Sequence, residues 1–349
     1  MINKNISITN SYDEIEDSIK QKIKDKNIFI SKSYEKYICA KRNKMYYIYS
    51  SNFIVSIIVK KYYIFKYSQF LIEPIFFYDM TQEEKKDILN EIVELIYKKT
   101  NSMWIDTPAT ALFTIYPKNA QVIPFGNCII DLSQTEETLW TQIHSKHKNV
   151  IRNAERKNVI IKIGISEELL NDYLILDNQT SKREKRLIRQ KIYFSKMIES
   201  LKENMIIAIS YHEKKPQAGG IFYFSSEMSY YMYGATSDNP LTGAANYLLW
   251  KTLLFFKDKN IKNLNLVGYR INVDKNSKYE GIQRFKKRFG GEIKKIYLFR
   301  CIKNKGMYIF YKYLRNVYLK SGKDIIDSEI YKWEKIQLDN WMEKDEINN

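Results

Sequence analysis

The stretch YEGIQRFKKRFGG, residues 279–291, sets Arg284, Lys286, Lys287 and Arg288 around Phe285 and Phe289 and closes on Gly290 and Gly291. Cations grouped in this way can hold an anion or steady a growing oxyanion, provided something fixes the helix that bears them. Ile282, Phe285 and Phe289 fall at i, i+3 and i+7, a stripe that would pin the helix to a core and leave Lys286 at its edge. The paired glycines then stop the helix. The plain alternative is a helix C-terminus whose Lys and Arg merely complement the dipole. Arg270, just past the strand LNLVG, stands where α/β sheets receive ligands.

Other chemistries lack their residues. His144 and His147 are three apart, a spacing that can bind metal, but only His212 remains and no acidic ligand stands nearby, so no metal is expected. No GxSxG elbow, P-loop or GxGxxG is present, which argues against a serine hydrolase, an NTPase and a nucleotide-linked dehydrogenase. Cys39, Cys128 and Cys301 lie far apart without a CxxC pair, as expected of a chain in a reducing cytosol.

These residues need elements to position them. YYMYGATSDNPLTGAANYLLWKTLLFFKDKNIKNLNLVGYR reads as strand, polar turn, a helix burying Leu248, Leu249, Leu253 and Phe256, and a second strand. Gly243 and Ala244 at the helix start either offer backbone N–H groups to an anion or simply permit close packing. Upstream, strand CIIDL runs into a helix capped by Ser133 with Glu136. On it Leu139, Ile143, Val150, Ile151 and Ala154 share one face; Lys146, Lys148, Arg152, Arg156 and Lys157 take the others, as a solvated or an anion-facing flank.

The first part of the chain reads as a helix near residues 11–24, short β-rich runs (MYYIYS, FIVSIIV, YYIFKY, FLIEPIFF), a helix opened by the capping box Thr81 and Glu84, and strand MWID. The same order returns later: helices, strands MIIAISY, AGGIFYF and MSYYMYGAT, a helix, and LNLVG. Two related α/β halves are therefore expected, which suits 349 residues. Residues from 305 onward read as one or two helices with an acidic end, EKDEINN.

Hydrophobic residues make up 44% and charged residues 28%, the mix of a folded protein. The net charge of +17 points to an anionic partner, although the abundance of Lys, Ile, Asn and Tyr has the look of A/T-rich coding, so clustered charge weighs more than the total. The N-terminus has no apolar signal region, and the apolar runs fall short of the ~18 residues of a membrane span. The chain is expected in the cytoplasm, with a basic surface able to rest on the inner face of a membrane.

In order, YGAT, helix, NLNLVGYR and GIQRFKKRFGGE resemble the second half of the FemAB peptidyltransferases, built from tandem acetyltransferase-like (GNAT) domains. IDLSQTEETLWTQIHSKHKNVIRNAERKNVIIKI resembles the family's linking strand and helix, TSKREKR followed by Tyr193 the next segment, and KKPQAGGIFYF the hairpin before YYMYGAT. The resemblance spans residues 126–302 and is weak before them. It implies an α/β (α+β) fold of two GNAT-like domains with mixed central sheets. These are a first domain over 1–125, a second over 126–302, and a helical segment over 303–349 packing back on the first. NPLTGAAN departs from the acyl-CoA motif, Arg or Gln then x-x-Gly-x-Gly/Ala, which weakens a CoA donor.

The resemblance further implies an amide-forming acyltransferase. Its donor would be aminoacyl-tRNA, and its acceptor an amine on a cell-wall (peptidoglycan) precursor bearing a diphosphate, UDP- or lipid-linked; no bound cofactor is expected. Lys286 corresponds to the catalytic lysine that meets the oxyanion, with Phe285 beside it. Arg183, Tyr233, Tyr231 and Lys41 correspond to substrate-binding residues; Arg suits phosphate because its fork bonds two oxygens. Two other readings stay open: acyl-CoA transfer to an amino sugar or small amine, and a basic protein that only binds RNA or a membrane surface.

Overall fold

The structure is a computed structural model that describes residues 6–318 and 324–334. The acidic end EKDEINN lies outside the described residues. The first half comprises β1 (Ser7–Thr9), α1 (Asp17–Ile23), α2 (Lys32–Ala40), β2 (Lys44–Tyr49), β3 (Phe53–Tyr62), β4 (Phe65–Phe70), β5 (Ile75–Phe76), α3 (Gln82–Thr100) and β6 (Trp104–Asp106). There follow β7 (Gln121–Asp131), α4 (Glu136–Gln142), α5 (Ser145–Arg156), β8 (Ile160–Gly164), α6 (Glu167–Arg183), α7 (Lys191–Leu201), β9 (Met205–His212), β10 (Lys215–Phe224) and β11 (Met228–Thr236). The chain continues through α8 (Ala244–Asp258), β12 (Asn263–Asn265), α9 (Lys278–Lys287), β13 (Glu292–Ile302) and α10 (Lys305–Tyr318), and residues 325–334 are helical.

Among the described residues one mixed sheet runs in the order β1-β2-β3-β4-β6-β13-β7-β12-β11-β10-β9-β8, with β5 beside β3. The repeated element order has a geometric counterpart. β2, β3 and β4 form an antiparallel meander, and α3 crosses over to β6, parallel to β4. β9, β10 and β11 do the same, and α8 crosses over to β12, parallel to β11. The two units are joined by β7 and β13, which pair antiparallel from Glu292 opposite Ile129 to Arg300 opposite Gln121. β13 then borders β6, and β7 borders β12. One core gathers Leu89 and Ile92 of α3 with Tyr173 and Leu176 of α6 and Phe194 of α7. A second joins Leu139, Ile151, Leu248, Leu253 and Phe289.

Local signals decide where helices begin. Thr81 and Glu84 form the expected capping box, with Glu84 N donating to Thr81 Oγ1 (3.2 Å) and Thr81 N to Glu84 Oε2 (2.8 Å). Ser133 does not cap the next helix. Its hydroxyl donates to Asp131 Oδ1 (2.7 Å), and Thr135 caps α4 by accepting from Thr138 N (3.2 Å). The single helix expected here is two: Ile143 is extended, and His144 caps α5, its Nδ1 accepting from Lys146 N (3.1 Å). The break makes room for the end of α9, because His144 N donates to Arg288 O (2.9 Å) and Gly290 lies against Gln142.

The C-terminal helices are fastened by a buried ion cluster. The Arg300 guanidinium bonds Asp106 and Tyr308, Asp324 (2.9 Å) and Asp327 (3.1 Å), while Arg315 also reaches Asp324 (2.8 Å). Losing one partner from such a cluster leaves uncompensated charge in the interior. Trp104 stacks on Tyr67 and meets Tyr308 and Tyr311, so α10 lies against β4 and β6.

Gly243 shows which reading of the α8 start the packing favours. Its φ is 92°, and a Cβ there would lie 2.1 Å from Val150 O, so the glycine lets α8 press on α5. Gly243→Ala is expected to lower the unfolding free energy by about 2 kcal/mol, through both backbone strain and the clash. The check is the urea midpoint at unchanged slope; an unmoved midpoint would show that α5 yields freely.

Candidate active site

Lys286 occupies the last turn of α9, a helix that Ser277 opens by accepting from Glu280 N (3.2 Å). Phe289 is fully buried and Phe285 half-buried, and the His147 ring lies 4.9 Å from the first and 5.4 Å from the second. Burial pushes His147 down to about 4, so it is a neutral packing partner at pH 7. Ile282 is exposed, so the anchor is the phenylalanine pair and not the full stripe.

The Lys286 ammonium donates to Val267 O (2.6 Å) and Gly268 O (2.7 Å). Both carbonyls owe their position to an irregularity after β12. Asn265 faces Ile129 and Leu266 N donates to Cys128 O, yet Tyr269 pairs with Gly126, so one extra residue bulges out. Val267 sits at φ 57°, a strained setting for a β-branched side chain, and the Asn265 Oδ1 accepts its N–H (2.7 Å). Burial lowers Lys286 to about 8, opposed by the nearby Cys128 thiol. An ammonium has three donors, and two are taken by these carbonyls.

β11 and β12 pair only from Met228 opposite Asn263 to Tyr230 opposite Asn265. Beyond that β11 runs on to Thr236 while the other chain turns through the bulge toward β7. The sheet thus opens at the carboxyl ends of two parallel strands, where α/β sheets take ligands. Tyr231 and Tyr233 leave β11 on opposite faces despite their even spacing. The cause is a bulge, since Ile221 faces Tyr233 while its neighbour Phe222 faces Tyr231. Tyr231 stacks on Phe222 at 4.7 Å and is raised to about 12 by burial.

Tyr233 joins a different group. Its hydroxyl lies 2.8 Å from that of Tyr193, and Lys41 sits over the Tyr193 ring (4.0 Å) and the Tyr37 ring (4.2 Å). Among the described residues no carboxylate pairs with Lys41, and burial lowers its pKa. Tyr193 is lowered: burial opposes this, but the Lys41 ammonium and hydrogen bonds with Tyr233, Tyr37 and Lys41 outweigh it. Arg189 lies 4.7 Å over the Tyr233 ring and is held by the buried Asp177 (2.5 and 3.2 Å), which also binds Arg186.

The structure therefore brings Lys41 and Tyr233 together and sets Phe285 beside Lys286. Arg183 stands at the end of α6 with its fork bonded to Asp238 (3.0 Å) and Thr236 Oγ1 (2.8 Å). Arg270 is paired with Glu329, lies 4.2 Å over the Tyr279 ring, and lines a cleft of about 570 Å³ with Arg284, Lys287 and Arg288. Arg189, Tyr193 and Tyr37 were not singled out as site residues from the sequence. Arg189 belongs to the cation-rich run 182–191, in which only the fold separates one arginine from another.

The sequence model of the FemAB family matches residues 69–215 and 208–316. No curated protein matches the chain in sequence. In fold it is similar to the crystal structure of FemX, at 13% identity and TM-score 0.63, covering 81% of this chain and 94% of that one. It is also similar to the C-terminal domain of a putative lysylphosphatidylglycerol synthetase from Agrobacterium fabrum (9%, TM-score 0.54, 81% and 92% covered). A tandem GNAT protein from the clavulanic acid biosynthesis pathway matches as well (7%, TM-score 0.50, 86% and 99% covered). With more than half of its length matched, and with an α/β architecture of tandem GNAT-like folds, the chain belongs to the FemAB family and is a peptidoglycan-related acyltransferase.

Proposed function

We propose that this acyltransferase moves an aminoacyl group from aminoacyl-tRNA onto an amine of a peptidoglycan precursor on the cytoplasmic side. The acceptor nitrogen attacks the ester carbonyl, the carbon–oxygen bond to the ribose breaks, and the amine proton leaves with the ribose oxygen or with water. The observation that supports this most is Lys286, fixed by two carbonyls where the sheet opens. Among the described residues its third donor has no acceptor, which leaves it for the oxyanion, and the geometry is set before the charge develops.

Lys41 supports the anionic end of the acceptor. A partly buried cation flanked by tyrosine rings without a carboxylate keeps its charge for a phosphate. Tyr233 and Tyr193 add hydroxyls beside it, and Arg189 a guanidinium already aimed by Asp177. Arg183, Tyr231, Phe285 and Arg270 complete the proposed substrate-binding set, with Arg183 requiring release from Asp238, and Arg270 from Glu329, to meet a phosphate.

Three outcomes are expected. Lys286→Met lowers kcat by about 10²-fold with the circular dichroism spectrum unchanged, and unaltered turnover would remove Lys286 from the mechanism. The wild-type kcat falls as pH rises through about 8, because deprotonation costs Lys286 its donor; the Met variant lacks this limb. Lys41→Met raises the acceptor KM about tenfold at near-constant kcat, whereas a loss confined to kcat would count against a phosphate role. The donor is decided by offering charged tRNA and acetyl-CoA in parallel with a UDP-linked muramyl pentapeptide. Product from acetyl-CoA alone would overturn the aminoacyl-tRNA reading.

A further inference from the structure

Helix α10 is apolar on more than the face it buries. Tyr308 and Arg315 turn inward, and Lys312 reaches Asp327 (3.2 Å). On the outer side Ile309 is 66% exposed and Tyr313 63%, with Val317 and Phe310 also exposed. Ile309, Tyr313 and Val317 are spaced i, i+4, i+8, so they form one continuous stripe. Lys305, Lys312 and Asn316 give α10 a polar strip, but the stripe from Ile309 to Val317 is apolar surface that the fold leaves in water, as surfaces awaiting a partner are.

A second element reaches the same place. β3 and β4 meet in a two-residue turn, with Tyr62 opposite Phe65 and with Tyr63 and Ile64 at the tip. Tyr63 is 79% exposed and Ile64 61%. Tyr63 also has φ 53°, in the left-handed region where such turns take Gly, Asn or Asp. The Tyr63 ring meets that of Tyr62 edge-on (4.8 Å), but with most of its surface in water and an unfavourable backbone setting it serves the fold little. Phe65, next to the tip, contacts the rings of Phe310 and Tyr311, so tip and stripe adjoin.

The two segments that build this surface carry charge of one sign, the nearby carboxylates Asp324 and Asp327 being paired inward with Lys312 and Arg315. Residues 59–66, VKKYYIFK, and residues 302–318 contain lysines and one arginine but no carboxylate. Lys61, Lys303 and Lys305 are exposed. Tyrosine and phenylalanine in a cationic frame match the headgroup region of an anionic bilayer, where ring bodies enter the acyl boundary and ammonium groups meet phosphate.

We propose that the β3–β4 tip and the outer face of α10 form a docking surface for an anionic phospholipid bilayer. Among the described residues no helix is long and apolar enough to cross a membrane, so the contact is peripheral. Lys60 on the same strand donates to Gln69 (2.7 Å). The proposal does not depend on which donor or acceptor the enzyme uses.

The test is flotation of the full-length protein with vesicles of phosphatidylcholine alone and of equal parts phosphatidylcholine and phosphatidylglycerol, without substrates. The wild type is expected to float with the anionic vesicles only, and less at about 0.5 M salt. Tyr63→Asn should lower the partition coefficient about tenfold while raising or leaving unchanged the melting temperature. Ile309→Ser with Tyr313→Ser should lower partition similarly; if that pair unfolds, the Tyr63 variant stands alone. Absence of flotation, equal binding by Tyr63→Asn, or binding to neutral vesicles alike would overturn the proposal. A dimer in solution that the variants dissociate, with vesicle binding untouched, would instead make this face a contact between copies.

Discussion

An ammonium bound by two backbone carbonyls ties the second half of this protein together. The Val267 and Gly268 oxygens converge because the chain after β12 carries one residue more than its neighbour β7 can pair. Unpaired carbonyls in a partly closed place require a donor, and Lys286 supplies it. The lysine in turn can reach them only because Phe285 and Phe289 seat α9 against His147. Bulge and helix are therefore held by one another, and the strain of Val267 is tolerated because its surroundings leave it no alternative.

The sheet gives this arrangement a rigid base. Each unit consists of an antiparallel meander followed by a crossover helix and one parallel strand, and each parallel strand is finished by a partner from another part of the chain. β13 completes the first unit and β7 the second. Arg300 lies on β13, and its ties to Asp106, Asp324 and Asp327 connect the middle of the sheet with the C-terminal helices. Glu329, on the second of these, grips Arg270, so the loop between the bulge and α9 is braced from outside as well.

What could be read in advance follows the range of the interactions. The Thr81 capping box and the repeated order of strands and helices were legible because caps and periodicity act over a few residues. Lys286 stood out for its phenylalanine neighbours, but the carbonyls that hold it were not legible, since a bulge depends on the register of two strands more than a hundred residues apart. Ile282 is exposed for a related reason: α9 ends before Phe289, so helical spacing does not carry as far as the residue that anchors it. Tyr233 was the better match and Tyr231 the second, but on a regular strand two residues apart share a face, and it is the bulge opposite Ile221 that sends them to different ones. Arg189 was hidden among similar neighbours; Asp177 holds Arg186 as well, and the position over the Tyr233 ring is what distinguishes Arg189.

A net charge of +17 says little about which cations can act. Arg300 and Arg315 are neutralised by Asp324 and Asp327, Arg186 and Arg189 share Asp177, and Arg270 has Glu329. Lys286 and Lys41 are held differently, the one by carbonyl dipoles and the other by tyrosine rings. A carboxylate cancels the field that an arriving anion would feel, whereas dipoles and ring faces fix an ammonium and leave its full charge uncompensated. Partial burial strengthens that field and lowers both pKa values at once, so the same environment that makes the two lysines useful also limits the pH range over which they stay charged.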